Sequence, residues 1–163
     1  MPIVLVRVDD RLVHGQILEG WLPSTGAQEV LVANDALAAD PVQTMIIQSA
    51  VPFSVRLIVD TVDRIAALLM QPDRNQVKRM VLLESPADAL RLKKAGVPFT
   101  NLNLGNLKTE ESTVCLSRTV LVGQSALATL RDIVEQGVQV HIQSVPFEKP
   151  LNLVDIWDSL AGT

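Results

Sequence analysis

The run Asp9-Asp10-Arg11-Leu12-Val13-His14-Gly15-Gln16 gathers two acids, a guanidinium, an imidazole and a glycine within one short stretch. A histidine near neutral pH is partly unprotonated and can attack an electrophile such as phosphorus without a strong base. A phosphorylated imidazole then needs hydrogen-bond donors for its oxygens. The amides of Gly15 and Gln16, at the opening of a following helix, are expected to supply them, helped by the helix dipole. Gly15 would let backbone approach closely. Arg11 adds a charge-assisted hydrogen bond worth roughly 1.5–3 kcal/mol. Binding much tighter than this would slow onward transfer. Asp9 and Asp10 either orient Arg11 or the imidazole, or simply shape a turn. Asp10 is the favoured orienting residue because it adjoins Arg11.

This run follows a strand, Ile3–Val8, and precedes a helix whose Ile17, Leu18, Trp21 and Leu22 share a face. Further strands are predicted at Val30–Ala33, Val55–Val59, Val77–Leu83, Phe99–Leu104 and Val138–Val145, with shorter ones at Thr113–Leu116 and Thr119–Val122. Asp40-Pro41 reads as a helix start, with Val42, Met45 and Ile46 recurring at helical spacing. Val62, Ile65, Ala66 and Leu69 form a second stripe. Ser85-Pro86-Ala87-Asp88 resembles a capping box, and Gly96 closes its helix. Leu127, Leu130 and Val134 mark another helix, ended by Gly137. Asn152 caps a last one carrying Leu153, Ile156, Trp157 and Leu160. Such alternation predicts one α/β domain spanning 1–163, an open and mostly parallel sheet with helices on its faces. Ligands of these sheets bind outside the carboxyl ends of the strands, where the His14 run is expected.

The composition narrows the chemistry. The 163 residues carry a net charge of −4, with aromatics at 3% and no tyrosine. A basic footprint and a base-stacking platform are both missing, so no nucleic-acid partner is expected. Two histidines and one cysteine supply a zinc site poorly. One cysteine allows no intrachain disulfide, which suits a reducing cytoplasm. Acidic residues arrive too early in MPIVLVRVDD for a signal peptide. The longest strictly apolar run, Ile65 to Met70, is too short to span a bilayer.

The segment Arg7 to Gln16, followed by Trp21, resembles the signature of IIB components of the mannose/fructose/sorbose family of the bacterial sugar phosphotransferase system. The likeness continues at Asn34-Asp35, Ala39-Asp40, Ala50-Val51-Pro52, Ser85 to Asp88, Gly96-Val97, Asn103-Leu104-Gly105 and Gly137-Val138. It implies a mixed seven-stranded sheet and a protein-phosphohistidine–sugar phosphotransferase. By the resemblance, His14 accepts phosphate on Nδ1 from a IIA partner. It passes the phosphate to a sugar entering through IIC and IID membrane subunits. Arg11 is then the phosphate-contacting arginine. No metal or organic cofactor is implied. The protein would sit in the cytoplasm against the inner-membrane complex. Homodimers occur in the family, although no interface stripe stands out in this sequence. The chain departs from the pattern at Ser54 and Asn106, where the family usually has glycine. With no IIA domain fused here, that partner is expected to be another chain.

Two rival readings exist. A phosphoaspartyl receiver would use Asp9-Asp10 as its acidic pair, Asp60 as acceptor, Ser85 as its hydroxyl and Lys108 as its lysine, with Mg²⁺ bound. Thr109 stands where a receiver has proline. A IIB-like module could also be phosphorylated without feeding a transporter. Of the other polar residues, Asn34 and Asp35 either line the crevice or cap a helix. His141 is expected on the solvent side of its strand. Cys115 is read as a small core hydrophobe, and Trp157 as packing the last helix down.

Overall fold

The computed structural model describes residues 3–72 and 75–161. Strand β1 (Ile3–Val8) leads into a π-helical turn (Ile17–Trp21) that runs on as α1 (Leu22–Thr25). Then follow β2 (Glu29–Ala33), α2 (Asp35–Ala38), α3 (Pro41–Ala50), β3 (Arg56–Asp60), α4 (Val62–Met70), β4 (Arg79–Leu83) and α5 (Pro86–Lys94). After β5 (Asn101–Leu104) come three short strands, β6 (Leu107–Lys108), β7 (Val114–Cys115) and β8 (Val120–Val122). The chain finishes with α6 (Gln124–Glu135), β9 (Gln139–Ile142), β10 (Leu151–Asn152) and α7 (Leu153–Ala161).

Seven strands form one sheet in the order β10-β9-β5-β1-β4-β2-β3. All neighbours are parallel except β10, which runs antiparallel to β9. The mostly parallel α/β sheet expected from the sequence is therefore present. Central strands β2 and β4 are nearly continuous apolar runs, as strands covered on both faces must be. Alternate side chains feed two cores. Val6, Val8, Leu31, Val81, Leu83 and Leu104 meet the stripes of α4, α5 and α6. Val30, Val32, Met80 and Leu82 meet Ile17, Trp21 and Leu22 on the other face. Truncating a fully buried leucine such as Leu69 or Leu130 to alanine should cost about 2–5 kcal/mol.

Three expectations need correction. The segments around Thr113–Leu116 and Thr119–Val122 are strands, but of a separate small sheet, β6-β8-β7. Cys115 lies on an exposed position of that sheet rather than in the core. The stripe Val42, Met45, Ile46 does lie on a helix, yet it faces outward, and α3 has no buried residue. Asn152 fulfils its capping role by accepting the amide of Val154 at 2.9 Å. His141 is half-buried on β9, and Trp157 packs against the main core with Arg131 over its ring at 5.6 Å. The side chain of Leu160 lies outside the described residues.

Strand order also removes the receiver reading. Asp60 ends the edge strand β3, with β2 and β4 between it and β1. Three strand spacings, about 14 Å, separate it from the Asp9-Asp10 pair. Its carboxylate accepts the Thr61 amide at 2.8 Å and lies 3.7 Å from Arg64. Ser85 caps α5, and Lys108 offers Asp10 only its backbone amide.

Candidate functional site

The end of β1 supplies the site. Arg7 and Asp9 are two residues apart on an extended chain, so their side chains leave the same face. Both are fully buried. The Arg7 guanidinium donates to the Asn103 side chain, to the Gln143 carbonyl at 2.7 Å, to the Ser144 carbonyl at 3.1 Å and to Asp9 at 3.2 Å. It also lies 4.8 Å from the centre of the Trp21 ring, whose Nε1 donates to the same Ser144 carbonyl at 3.0 Å. Room for it exists because residue 105 is glycine: a Cβ there would come within 1.9 Å of Arg7 Nη2. Burial pulls the Arg7 pKa down to about 10, against the attraction of Asp9.

Asp9 shares its two oxygens. Oδ2 accepts from His14 Nε2 at 2.9 Å and from Arg7, while Oδ1 accepts the Arg11 amide at 3.1 Å and Arg11 Nε at 3.3 Å. Burial pushes this carboxyl's pKa up. The hydrogen bond and charge of His14, the Arg11 amide and Arg7 outweigh it, leaving the net pKa below the usual value. Asp9 is thus a carboxylate, and His14 Nε2 must carry the proton it donates. That leaves Nδ1 with its lone pair free, and the Gln16 amide points at it from 3.3 Å.

The loop is tightly built. Leu12 N–H closes a turn on the Asp9 carbonyl at 2.9 Å, with Leu12 held at φ +55°. A left-handed leucine costs roughly 1–2 kcal/mol, which the surrounding bonds must offset. The His14 carbonyl accepts the amides of Ile17 and Leu18, both at 3.0 Å, which starts the helical run. The sequence-predicted residues His14, Gly15, Gln16 and Arg11 therefore come together at the carboxyl end of the central strand. His14 is 14% exposed at its side chain and Arg11 42%. The Gln16 side chain holds Arg11 Nη2 at 2.8 Å. Around Gly15 an added Cβ would meet nothing within 4 Å. Close approach at this glycine can therefore come only from outside the chain.

Asp10 is not the residue that orients the imidazole; Asp9 is. Asp10 turns the other way, accepting Asn106 Nδ2 and the Lys108 amide, both at 2.9 Å. The departure at Asn106 acquires a structural use here, since its side chain clamps the loop through Asp10. Asn34 caps α2 through the Leu37 amide at 2.8 Å and donates to Glu84, so it does not reach His14. Sequence reasoning missed Arg7, Asn103 and Gly105 as parts of the site. The visible signal for Arg7 was a lone charge inside the apolar strand Ile-Val-Leu-Val-Arg-Val, two residues from an acid.

Comparison with known proteins agrees with this geometry. The family described as PTS system sorbose subfamily IIB component matches residues 3–161. The chain is 36% identical to the N-acetylgalactosamine-specific phosphotransferase enzyme IIB component 2 of Escherichia coli (strain K12), over 94% of this chain and 98% of that one. It is 30% identical to the PTS system fructose-specific EIIB component of Bacillus subtilis (strain 168), over 96% of each. The crystal structure of the IIBSor domain of the sorbose permease from Klebsiella pneumoniae superposes with a TM-score of 0.89 at 25% identity, covering 98% of both chains. On these grounds the chain belongs to the sorbose subfamily of IIB components of the sugar phosphotransferase system.

Proposed function

We propose that His14 Nδ1 takes a phosphoryl group from a phosphohistidine on a IIA partner and delivers it to a sugar hydroxyl at a IIC/IID membrane complex. The observation that carries this reading is the 2.9 Å bond between His14 Nε2 and the buried Asp9. It fixes the tautomer and turns a free nitrogen toward the opening of a helix. In the first exchange the Nδ1–phosphorus bond forms as the donor's nitrogen–phosphorus bond breaks, and the donor imidazole leaves. In the second, an oxygen–phosphorus bond to the sugar forms, the Nδ1–phosphorus bond breaks and the hydroxyl proton is given up to a base of the acceptor. Neither balance requires a metal or an organic cofactor.

Asp9 holds the Nε2 proton and offsets the positive charge that grows on the ring as Nδ1 bonds to phosphorus. Arg11, tethered by Asp9 and Gln16 yet partly exposed, can follow the phosphoryl oxygens. The Gln16 amide and the helix start supply a neutral donor and a favourable dipole. A single flexible guanidinium beside a helix terminus binds moderately, which keeps the phosphoryl group transferable. Both partners use one imidazole, so they must dock on this rim in turn. Among the described residues no helix is long and apolar enough to cross a membrane. The chain would act at the cytoplasmic face, attached through its partners.

The test is incubation with the general phosphotransferase enzymes and a cognate IIA, followed by mass spectrometry of the adduct. We expect an acid-labile, alkali-stable phosphate on His14, abolished by His14→Ala. Arg11→Ala and Arg11→Lys should slow transfer while leaving folding intact. A base-labile, Mg²⁺-dependent adduct lost in Asp60→Asn would overturn the reading.

A further inference from the structure

Helix α3 is held unlike the other long helices. Val42, Met45 and Ile46, one stripe at i, i+3 and i+4, are 62, 68 and 56% exposed. Phe53, in the segment after the helix, is fully exposed. Only Thr44 and Ile47 of α3 are even half-buried. A ten-residue helix is marginal on its own and normally lives by burying its apolar face. From Pro41 to Val55 there is also no charged residue; Asp40 and Arg56 bracket the segment. Beside Phe53 lies a cleft of about 700 Å³ walled by Met45, Gln48, Ala50, Val51, Pro52 and Val55.

We infer that this flank is the contact surface of a two-fold dimer of the chain, with Phe53 of each copy seated in the cleft beside Met45 of the other. Three observations select a second copy as the occupant. A protruding ring and an apolar cleft lie side by side on one patch, which is the self-complementary arrangement that a two-fold contact requires. Two identical copies bring identical charges to their contact, and this segment brings none. A helix adsorbing to an anionic bilayer would present lysine or arginine beside its apolar face, and α3 has neither. The area also fits. The four apolar side chains and the neutral rim of Gln43, Gln48 and Ser49 amount to about 800 Å² per partner, the size of a standard specific interface.

The placement suits the site at the other end of the sheet. Helices α2 and α3 cross from the carboxyl end of β2 back to the start of β3, where Arg56 pairs with Glu29. Phe53 therefore sits towards the amino ends of the strands, away from His14. A dimer built here leaves both His14 loops open. The inference does not depend on the phosphotransfer reading.

Sedimentation equilibrium of the full chain under reducing conditions, from low micromolar to near-millimolar concentration, tests it. The mass should climb from 17.7 kDa towards twice that value. Phe53→Asp and Met45→Glu should each weaken association by about 100-fold, as loss of a central anchor does. Both positions are exposed, so the circular dichroism of the dilute protein should not change. Phe147→Asp, at an exposed phenylalanine elsewhere, should leave association as it was. A single-chain mass throughout would overturn the inference, as would a dimer that survives both substitutions. A single-chain wild type whose phosphorylation by a IIA partner slows on Phe53→Asp would assign the flank to that partner, and would overturn it too.

Discussion

Two clusters of charge occupy the carboxyl rim of the same sheet, and they differ in little but water. At β1, Arg7, Asp9, Arg11 and His14 are joined by bonds of 2.9–3.3 Å, with the Arg7 and Asp9 side chains 0 and 1% exposed. At β2 to β4, Arg91 reaches Asp35 at 2.9 Å, Asp88 at 3.2 Å and Asp63 at 3.3 Å. There Arg91 is 40% exposed, Asp35 52% and Asp63 85%. The first cluster has been taken out of water, so each charge depends on its partners, and the imidazole inherits a fixed orientation. The second is screened and ties α2, α4 and α5 together without specifying a proton. Burial, more than the identity of the groups, separates a site from a clasp.

The largest effect should come from breaking the buried cluster. Asp9→Ala strands the Arg7 guanidinium and should cost about 3–5 kcal/mol in urea unfolding. Asp9→Asn keeps the shape but can donate to Nε2 as well as accept, so the tautomer is no longer fixed. It should fold and yet accept phosphate at least about 100-fold more slowly. Equal rates for Asp9→Asn and wild type would remove Asp9 from the chemistry. The lowered pKa of Asp9 adds a sign. Its stabilisation is present above about pH 4, the ordinary carboxylate value, and is lost as pH falls through the lower folded value. Acid unfolding of the wild type should show this loss, and Asp9→Asn should not.

A second contrast lies between two glycines. In Gly105→Ala the new Cβ falls 1.9 Å from Arg7 Nη2 and 2.2 Å from Cζ. The guanidinium is pinned, so overpacking should cost about 1–3 kcal/mol and disturb Asp9 with it. Gly15→Ala meets open space and should change stability by no more than about 0.5 kcal/mol. If Gly15 serves an incoming partner, its variant should slow transfer while unfolding normally. Equal losses of stability in the two variants would erase the distinction.

These contrasts also mark what the sequence could reveal. His14, Arg11 and the helix opening after them were legible because they are contiguous and stand at the predicted ligand end of the first strand. Arg7 and Asp9 obey the two-residue period of a strand, so their shared face was legible in principle; adjacency to Arg11 pointed to Asp10 instead. Asn103 and Gly105 reach Arg7 from far along the chain, and no local pattern announces such a contact. Cys115 was misjudged because an apolar run does not say which sheet it joins. Periodicity placed Val42, Met45 and Ile46 on one side of a helix. It carries no information about whether that side meets this chain's core or something beyond it.

The smallest effects belong to the screened cluster, where two neighbouring acids should behave oppositely. The Asp35 carboxyl is held below its usual pKa, first by the Val62 amide and then by Arg91. Its contribution is present above the ordinary carboxylate value and lost as pH falls through the lowered one. The Asp88 carboxyl is pushed up by burial, although Arg91 opposes the shift. Its favourable contribution belongs to the protonated form and is lost as pH rises through the raised value. At pH 7, Asp35→Asn should therefore weaken the fold and Asp88→Asn should leave it unchanged or strengthen it, each within about 1 kcal/mol. Below both pKa values the carboxyls are neutral like the amides that replace them, and the difference should vanish. Molar salt at pH 7 should shrink it as well, because Arg91 and Asp35 face solvent. Urea unfolding at the two pH values and two salt levels measures all of this. A loss several times larger for Asp35→Asn would mean that the clasp is as shielded from water as the Arg7–Asp9 pair, and the contrast between the two rims would fail.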